Sequence, residues 1–391
     1  MLASAAAAVL QRRAEVTERI VTLVVAQEPA YQPTGQIPVD VLSRSVDANV
    51  QRILERLAGV VRSEDEELAV ARTTGSRRAR QGVPLESVLR AFRLATQGIM
   101  DMLLAEARAR SAAELDAFLD VATVVIQVVD RHSVAVVTGY RETEAQLQRR
   151  DAERRQAVFD ALLEGRGGDP ATAAEALSVL GLPSDGSYVV VVAAIDLAVR
   201  PALGVTRDAC AAYAYAGAWR IRGDREIGIV ALAESSVPRL MTVLRANSVG
   251  PIGISDRFDA MHEVPEAYRA ADIALRTVAL DSAEVAWIAE RLPEALVVSS
   301  PNLSGRLARY ALGSVLALPR GERELLLRTL AIWYRNGLSA SRAAKQLYCH
   351  RNTILNRLRR IETLTGGSLE DPRHLLNCYL GLLTLELLPA Q

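Results

Sequence analysis

The chain has 391 residues, too long for one ordinary hydrophobic core, so two to four domains are expected. Its 46 basic and 46 acidic residues balance, so any surface that attracts nucleic acid must be local. Its three cysteines are far apart and fit neither a metal site nor a disulfide framework, which favours a reducing cytoplasm. We expect no membrane span, because no apolar run approaches roughly 18 residues. We also expect no signal peptide, because the first residues lack a positive segment.

The first part of the chain, to about residue 135, has apolar residues at the three and four spacing of helices. A loop at 29–38 separates two of these helices, and Pro84 is suited to open the next, from Leu85 to about Ala107. A further helix is predicted over 112–138. Together they predict a bundle of about four or five helices.

Residues 140–164 are highly charged and contain few apolar side chains. This composition predicts a connecting helix. The helix could be a solvated linker, or it could pair with a second copy as a short coiled coil. The residues favour neither alternative.

The middle of the chain changes to the pattern of an α/β domain, over about 170–292. Residues 188–195 are apolar and β-branched, which indicates a buried strand. Two further strands flank Arg222–Arg225 as a hairpin. The remaining elements expected are helices at 206–215, 237–246 and 264–280, and a strand at 250–255. This βαββαβα order predicts a mixed sheet with its helices on one face.

From Ser304 onward the pattern is helical again. The expected helices are 304–316, 321–335, 340–347, 351–363 and 372–388. Stop signals stand at Asn336-Gly337 and Gly366-Gly367, and Asp371-Pro372 can cap and open the last helix. The predicted fold class is therefore multidomain and mainly α, with a central α/β domain.

The stretch from Leu338 to Ile361 has the pattern of two short helices joined by a tight turn at 348–350. Ser339 is a suitable N-cap for the first helix, and the second starts near Arg351. The apolar residues expected to face the core are Ala343, Ala344 and Leu347 in the first helix, and Ile354, Leu358 and Ile361 in the second. This is the pattern of a helix-turn-helix, which places its second helix in the major groove of DNA.

The side chains left outward suit double-stranded DNA. Arg and Asn near the start of a helix can reach base edges, and Thr can contact a phosphate or a thymine methyl group. The preceding helix is expected to cross the DNA backbone. The predicted contact residues are Ser339, Arg342, Lys345, Arg351, Asn352, Thr353, Asn356, Arg357 and Arg360.

Local charge supports this hypothesis. From Leu325 to Ile361 there are eight basic residues and no acidic one, in a chain that is neutral overall. Such a patch attracts phosphates by Coulomb force and counterion release. The alternative is a solvated basic helix pair with no nucleic-acid partner.

The same segment resembles the C-terminal domain of the PucR family of bacterial regulators. The resemblance rests on His350-Arg351-Asn352-Thr353, on 357–361 (Arg-Leu-Arg-Arg-Ile) and on Leu364-Thr365-Gly366. It implies that His350, Arg351, Thr353 and Asn356 touch DNA, which adds His350 to the predicted contacts. Tyr348 stands where many such motifs carry Gly.

Two upstream regions resemble further domains. Residues 170–292 are similar to the GGDEF-like domain of the CdaR branch, with 222–226 (Arg-Gly-Asp-Arg-Glu) in place of the Gly-Gly-Asp/Glu-Glu-Phe of active cyclases. A missing Gly, and Arg225 where a metal ligand is expected, imply no catalysis. Residues 1–135 are similar to the N-terminal domain of RsbR-type proteins, through 81–85 and 89–93. That resemblance implies a sensory or dimerising role.

Three further groups are candidate sites. His132 could ligate haem, but a lone histidine on a helix is more often a hydrogen-bonded structural residue. Cys349 could sense oxidants, although a buried turn thiol is the commoner case. The acidic run 64–67 could bind a cation or simply begin a helix. We expect no metal and no cofactor.

The domains predicted are 1–138, helical and RsbR-like; 139–168, a linker helix; 169–292, a degenerate GGDEF-like domain; and 293–391, the helix-turn-helix domain. The predicted function is a cytoplasmic, dimeric or larger transcription regulator, not an enzyme, that binds double-stranded DNA and answers an unidentified signal or small-molecule effector. The alternatives are a nucleotide-binding or cyclase-like enzyme acting through the middle domain, and a stressosome-like signalling scaffold.

Overall fold

The structure is a computed structural model that describes residues 2–32, 35, 37–166, 168–195, 205–232, 236–279 and 281–388; at 112–121 it describes the backbone alone. The chain forms two compact units, Met1–Glu153 and Arg154–Gln391. Each unit is described by itself.

The first unit is built from helices. They are α1 (Leu2–Gln11), α2 (Arg13–Gln27), α3 (Val39–Leu57), α4 (Glu64–Arg80), α5 (Leu85–Arg110) and the first part of α6 (Ala112–Leu163). Apolar faces of α2, α3 and α5 meet in one core around Ile20, Leu54 and Leu103. The helical bundle predicted for this region is confirmed, with α1 and α4 as further members.

Helix α6 runs without a break for 52 residues. The expected division into a bundle helix ending near Thr138 and a separate linker helix was therefore wrong. Gly139 lies inside the helix, where a Cβ atom would come within 2.2 Å of the Arg72 carbonyl oxygen. Gly75 of α4 faces α6 in the same way, since its Cβ would come within 2.0 Å of the Val136 carbonyl oxygen. The two glycines let the backbones of α4 and α6 touch.

The middle of the chain forms a five-stranded sheet in the order β2-β3-β1-β4-β5. The strands are β1 (Tyr188–Ala194), β2 (Gly217–Arg222), β3 (Arg225–Ala231), β4 (Ile252–Ile254) and β5 (Val285–Trp287). The β4–β5 pair is parallel and the other pairs are antiparallel. The helices of this region are α7 (Pro170–Leu180), α8 (Val205–Ala212), α9 (Val237–Asn247) and α10 (Val264–Arg276). The predicted hairpin is confirmed, whereas β5 was not expected.

Helices cover both faces of this sheet, so the expectation of helices on one face was wrong. Val190 and Val192 of β1 pack toward α10, while Val189 and Val191 pack toward α8 and α9. A strand with four consecutive valines at its centre has no polar side to leave in water, so both of its faces must be covered.

The last part of the chain is a helical domain. Its helices are α11 (Leu292–Ser299), α12 (Pro301–Leu316), α13 (Arg320–Arg335), α14 (Ala340–Gln346), α15 (Arg351–Thr365) and α16 (Pro372–Leu387). All but α11 were predicted. Gly366 ends α15 in the left-handed conformation, and the Asp371 side chain caps α16 by accepting from the Arg373 and His374 backbone amides. The predicted fold class, mainly α with a central α/β domain, is confirmed.

Candidate nucleic-acid interface

The first helix of the predicted pair, α14, is fixed by a cap and a buried face. The Ser339 side chain accepts a hydrogen bond from the Arg342 backbone amide at 3.4 Å. Ala343 and Ala344 are buried against α13 and α15, as predicted. Their small side chains allow α15 to cross closely, which leaves Arg342 and Lys345 on the exposed side.

The second helix, α15, is capped by His350, whose Nδ1 accepts a hydrogen bond from the Asn352 backbone amide at 3.2 Å. Ile354, Leu358 and Ile361 are buried in the core of the domain, as their spacing predicted. Because these residues fix the inner face, the opposite face of the first two turns is presented to solvent.

The turn between the two helices passes through Tyr348 in a left-handed conformation, at φ 51°. A residue with a Cβ adopts this conformation at a cost of about 1 kcal/mol. The side chain is 97% exposed, so it makes little contact within the domain that could offset this cost. Having Tyr rather than Gly at position 348 therefore strains the backbone of the turn locally.

An asparagine that the sequence reasoning missed links α13 to α14. Asn336 donates through Nδ2 to the Ile332 carbonyl oxygen at 2.8 Å and to Gln346 Oε1 at 2.6 Å. This bridge holds the end of α14 against the end of α13. The sequence showed only an Asn-Gly stop signal here, which says nothing of the partner ten positions later.

The predicted contact residues fall into two groups by exposure. Those exposed to solvent are Arg342, Lys345, His350, Arg351, Asn352, Asn356 and Arg360, and those partly buried are Ser339, Thr353 and Arg357. The exposed group covers one side of α14 and the first turns of α15. The structure thus places these residues on one continuous pair of helices.

Some of the basic side chains are already engaged within the domain. Arg357 donates to Thr329 Oγ1 at 3.3 Å, and Arg360 pairs with Glu322 at 3.4 Å. Arg335 pairs with Glu386 at 2.7 Å. Both acidic partners lie outside the acid-free stretch, so counting charges along the sequence overstated the free positive charge.

Three cations of the predicted contact set are exposed and have no counter-charge among the described residues. Among the residues that the structure describes, no carboxylate lies within ion-pair distance of Arg342, Lys345 or Arg351. Asn356 lies beside them on α15, with its Oδ1 accepting from Arg359 at 3.4 Å. Exposed cations without a counter-charge on such a helix pair can attract phosphate groups. Amide and guanidinium side chains beside them can then hydrogen-bond to base edges.

His132 and the acidic run 64–67, the other candidate sites of the first unit, are engaged in contacts within the helical bundle. His132 is fully buried, with Nδ1 2.8 Å from the Val128 carbonyl oxygen, which is the contact its structural interpretation predicted. In the run 64–67, Glu64 pairs with Arg131 and Asp65 with Arg72, and Glu66 completes a capping box with Ser63. Glu67 is buried beside Arg56, which the sequence did not predict. Each carboxylate therefore has a role in the bundle.

The hairpin of the middle domain is also locally paired. Arg225 contacts Asp224 at 3.0 Å and Asp272 at 3.6 Å, and Gly223 occupies the turn at φ 61°.

Cys349, the remaining candidate from the sequence, is partly buried in the turn before α15. In the described part of the chain, no helix is both long and apolar enough to cross a membrane.

Comparison with known proteins matches three family models to this architecture. Residues 326–384 match the PucR C-terminal helix-turn-helix domain, residues 164–277 match the GGDEF-like domain, and residues 14–155 match the RsbT co-antagonist protein RsbRD N-terminal domain. The fold of α14 and α15 and the family match define a helix-turn-helix domain.

The purine catabolism regulatory protein of Bacillus subtilis (strain 168) is 34% identical over 134 residues, which is 33% of this chain. The match spans 25% of that relative's length. The similarity to the PucR family is thus carried by the C-terminal domain, over residues 326–384. A regulator of polyketide synthase expression from Bifidobacterium adolescentis is 17% identical over 61% of this chain and 95% of its own, with a TM-score of 0.32.

Proposed function

We propose that the protein is a transcription regulator that binds double-stranded DNA through α14 and α15. The observation that carries the proposal is the exposed set of Arg342, Lys345 and Arg351, which lacks described acidic partners. α15 enters the major groove, where Arg351 and Asn356 reach base edges. α14 crosses the backbone, where Arg342 and Lys345 meet phosphates.

Replacing the two pairs of residues by alanine should change DNA binding in different ways. Arg351→Ala and Asn356→Ala should each cost roughly 1–3 kcal/mol and relax the preference at one base position. Arg342→Ala and Lys345→Ala should weaken binding to all sequences alike and lower the salt slope by about one. Fluorescence anisotropy over a salt series, with fragments selected from genomic DNA, measures both effects.

Arg309→Ala is a matched control, because Arg309 is an exposed arginine of α12 outside the helix pair. It should leave affinity and sequence preference nearly unchanged. If Arg351→Ala and Asn356→Ala stay folded and keep both the affinity and the preferred sequence, α15 does not read DNA and the proposal is wrong.

A dimer is the assembly that suits this function, since one helix-turn-helix covers about half of an operator. The stretch 144–157 of α6 is charged and mostly exposed, which leaves a surface for a second copy. Light scattering should give at least a dimer at micromolar concentration. A strict monomer that still binds DNA tightly would exclude this assembly.

The middle domain acts in this proposal without catalysis. The Arg225 guanidinium lies between Asp224 and Asp272 and competes with any cation for their carboxylates. We expect no cyclic dinucleotide from GTP with Mg²⁺ or Mn²⁺. Metal-dependent product that disappears in Asp224→Ala would contradict this expectation. Binding of a small-molecule effector and a reducing cytoplasmic location remain part of the proposal.

A further inference from the structure

Helices α2 to α5 of the first unit enclose an apolar pocket. The volume of the cavity is about 40 Å³. Its apolar lining includes Val24, Leu42, Val50, Ile53, Val88 and Ile99. Ala91, Phe92 and Ala95 of α5 are partly exposed and form its rim. Apolar walls of this kind are typical of small-molecule sites when a few polar groups converge on them.

One of the polar groups in this pocket is a buried arginine. Arg78 of α4 is 2% exposed, and its Cζ lies 5.5 Å from the centre of the Tyr31 ring. Burial lowers the pKa of Arg78, but a guanidinium keeps its charge in proteins. A buried charge without a counter-ion is costly, so such charges are normally paired.

Arg78 has no such partner among the described residues. Its Nη1 donates to the neutral Gln81 Oε1 at 2.7 Å. Glu28 is buried in the same bundle, but it pairs with Arg90 at 2.7 Å. Within the described residues, the pocket therefore carries one positive charge without a counter-ion, beside the Tyr31 ring and an apolar wall.

A second polar group in the pocket is unsatisfied as an acceptor. Asn49 of α3 is buried, and its Nδ2 donates to the Ser45 carbonyl oxygen at 2.8 Å and to Thr74 Oγ1 at 2.9 Å. Both donors of this amide are thus used. Its Oδ1 has no hydrogen-bond partner among the described residues. Asn49 can therefore accept an N–H or O–H from a bound molecule.

We infer that this pocket binds a small apolar carboxylate that also carries a hydroxyl group. The carboxylate neutralises Arg78, the hydroxyl donates to Asn49 Oδ1, and the hydrocarbon part lies against the aliphatic walls. Only about 40 Å³ admits the centre of a water-sized molecule, which is room for roughly three waters. A ligand with one ring is larger than this volume, so its binding requires that the rim at Phe92 move outward.

The test uses the full chain and three probes of one size: 4-hydroxybenzoate, benzoate and benzamide. Isothermal titration should rank 4-hydroxybenzoate first, benzoate next and the uncharged benzamide last, with at least a tenfold loss from first to last. Binding is measured without DNA, so failure of the DNA proposal would not affect the result.

Variants identify the site. Arg78→Met should weaken the binding of 4-hydroxybenzoate at least tenfold. Arg77→Met, which alters the exposed neighbouring arginine, should leave this affinity unchanged. Ala95→Phe fills the rim of the pocket and keeps Arg78. It should also abolish binding, so it tests the site independently if Arg78→Met does not fold. If none of the probes binds at millimolar concentration, or if Arg78→Met and Ala95→Phe bind as well as the unaltered chain, the inference is wrong.

Discussion

Arg357 of α15 donates a hydrogen bond across 3.3 Å to Thr329 Oγ1, on the fully buried side of α13. The Thr329 hydroxyl in turn donates to the Leu325 carbonyl oxygen at 2.7 Å. Arg357 was predicted from the sequence to contact DNA. Because of this hydrogen bond, we expect Arg357 to hold α15 on α13 and to affect DNA binding indirectly.

The first prediction concerns this pair. Thr329→Val keeps the shape of the side chain but removes the acceptor, and it should cost about 1 kcal/mol of unfolding free energy. Arg357→Met in the Thr329→Val background should add little to the loss of DNA affinity, because the link is already broken. Urea unfolding measures the stability, and fluorescence anisotropy the DNA affinity, of the two single variants and the double variant. Additive losses in DNA affinity would show that Arg357 touches DNA directly.

The second prediction concerns the strained turn. Tyr348→Gly should stabilise the domain by up to about 1 kcal/mol, because glycine adopts a positive φ without steric cost. Tyr348→Ala is the matched control, since it removes the same exposed side chain but keeps a Cβ. Urea unfolding followed by tryptophan fluorescence measures both. Equal stability of the two variants would argue against strain at this position.

Much of the candidate interface could be predicted from the sequence because its signals are local. The inward positions of Ile354, Leu358 and Ile361 follow from helical spacing alone, and Ser339 and Asp371 are recognisable caps. These features depend on residues within a turn or two of each other.

The features that could not be predicted depend on distant partners. Gly139 looks like a helix break until the Arg72 carbonyl oxygen is seen against it. Arg360 looks free until Glu322 of α13 is found beside it. Arg77 and Arg78 are indistinguishable in sequence, yet only Arg78 is turned into the bundle, next to Tyr31. Packing between helices decides all three.

The third prediction concerns the thiols. Burial raises the pKa of Cys210 to about 12 and that of Cys378 to about 11, so both remain thiols at pH 8. Cys349 is only partly buried. Iodoacetamide should therefore modify Cys349 first in the native chain, and bound DNA should slow the reaction because the turn lies beside α15.

Mass spectrometry of timed samples measures the modified residue, and Cys349→Ser should remove the fast reaction. Rapid modification of Cys210 in the native protein, or no protection of Cys349 at saturating DNA, would contradict this account.

The last prediction concerns the pH dependence of the first unit, through His132. Its Nδ1 lies 2.8 Å from the Val128 carbonyl oxygen, which can only accept, so Nδ1 carries the proton. Nε2 is buried without a partner among the described residues. Burial lowers the pKa of His132 and outweighs the hydrogen bond to Val128 and the attraction of Glu67 on α4, which both raise it; Arg131 of the same helix lowers it further.

A lowered native pKa means that the unfolded chain, with a histidine pKa of about 6.5, binds the proton more readily. Stability of the first unit is therefore complete above about pH 6.5 and falls as the pH drops below it, by at most about 1.4 kcal/mol per pH unit. His132→Asn retains a donor for Val128 but does not titrate, so its stability should change less over this range. Hydrogen exchange of α4 and α6 peptides at pH 5.5, 6.5 and 7.5, corrected for intrinsic rates, measures the difference. If the unaltered chain and His132→Asn lose protection in parallel as the pH falls, His132 is not the group responsible.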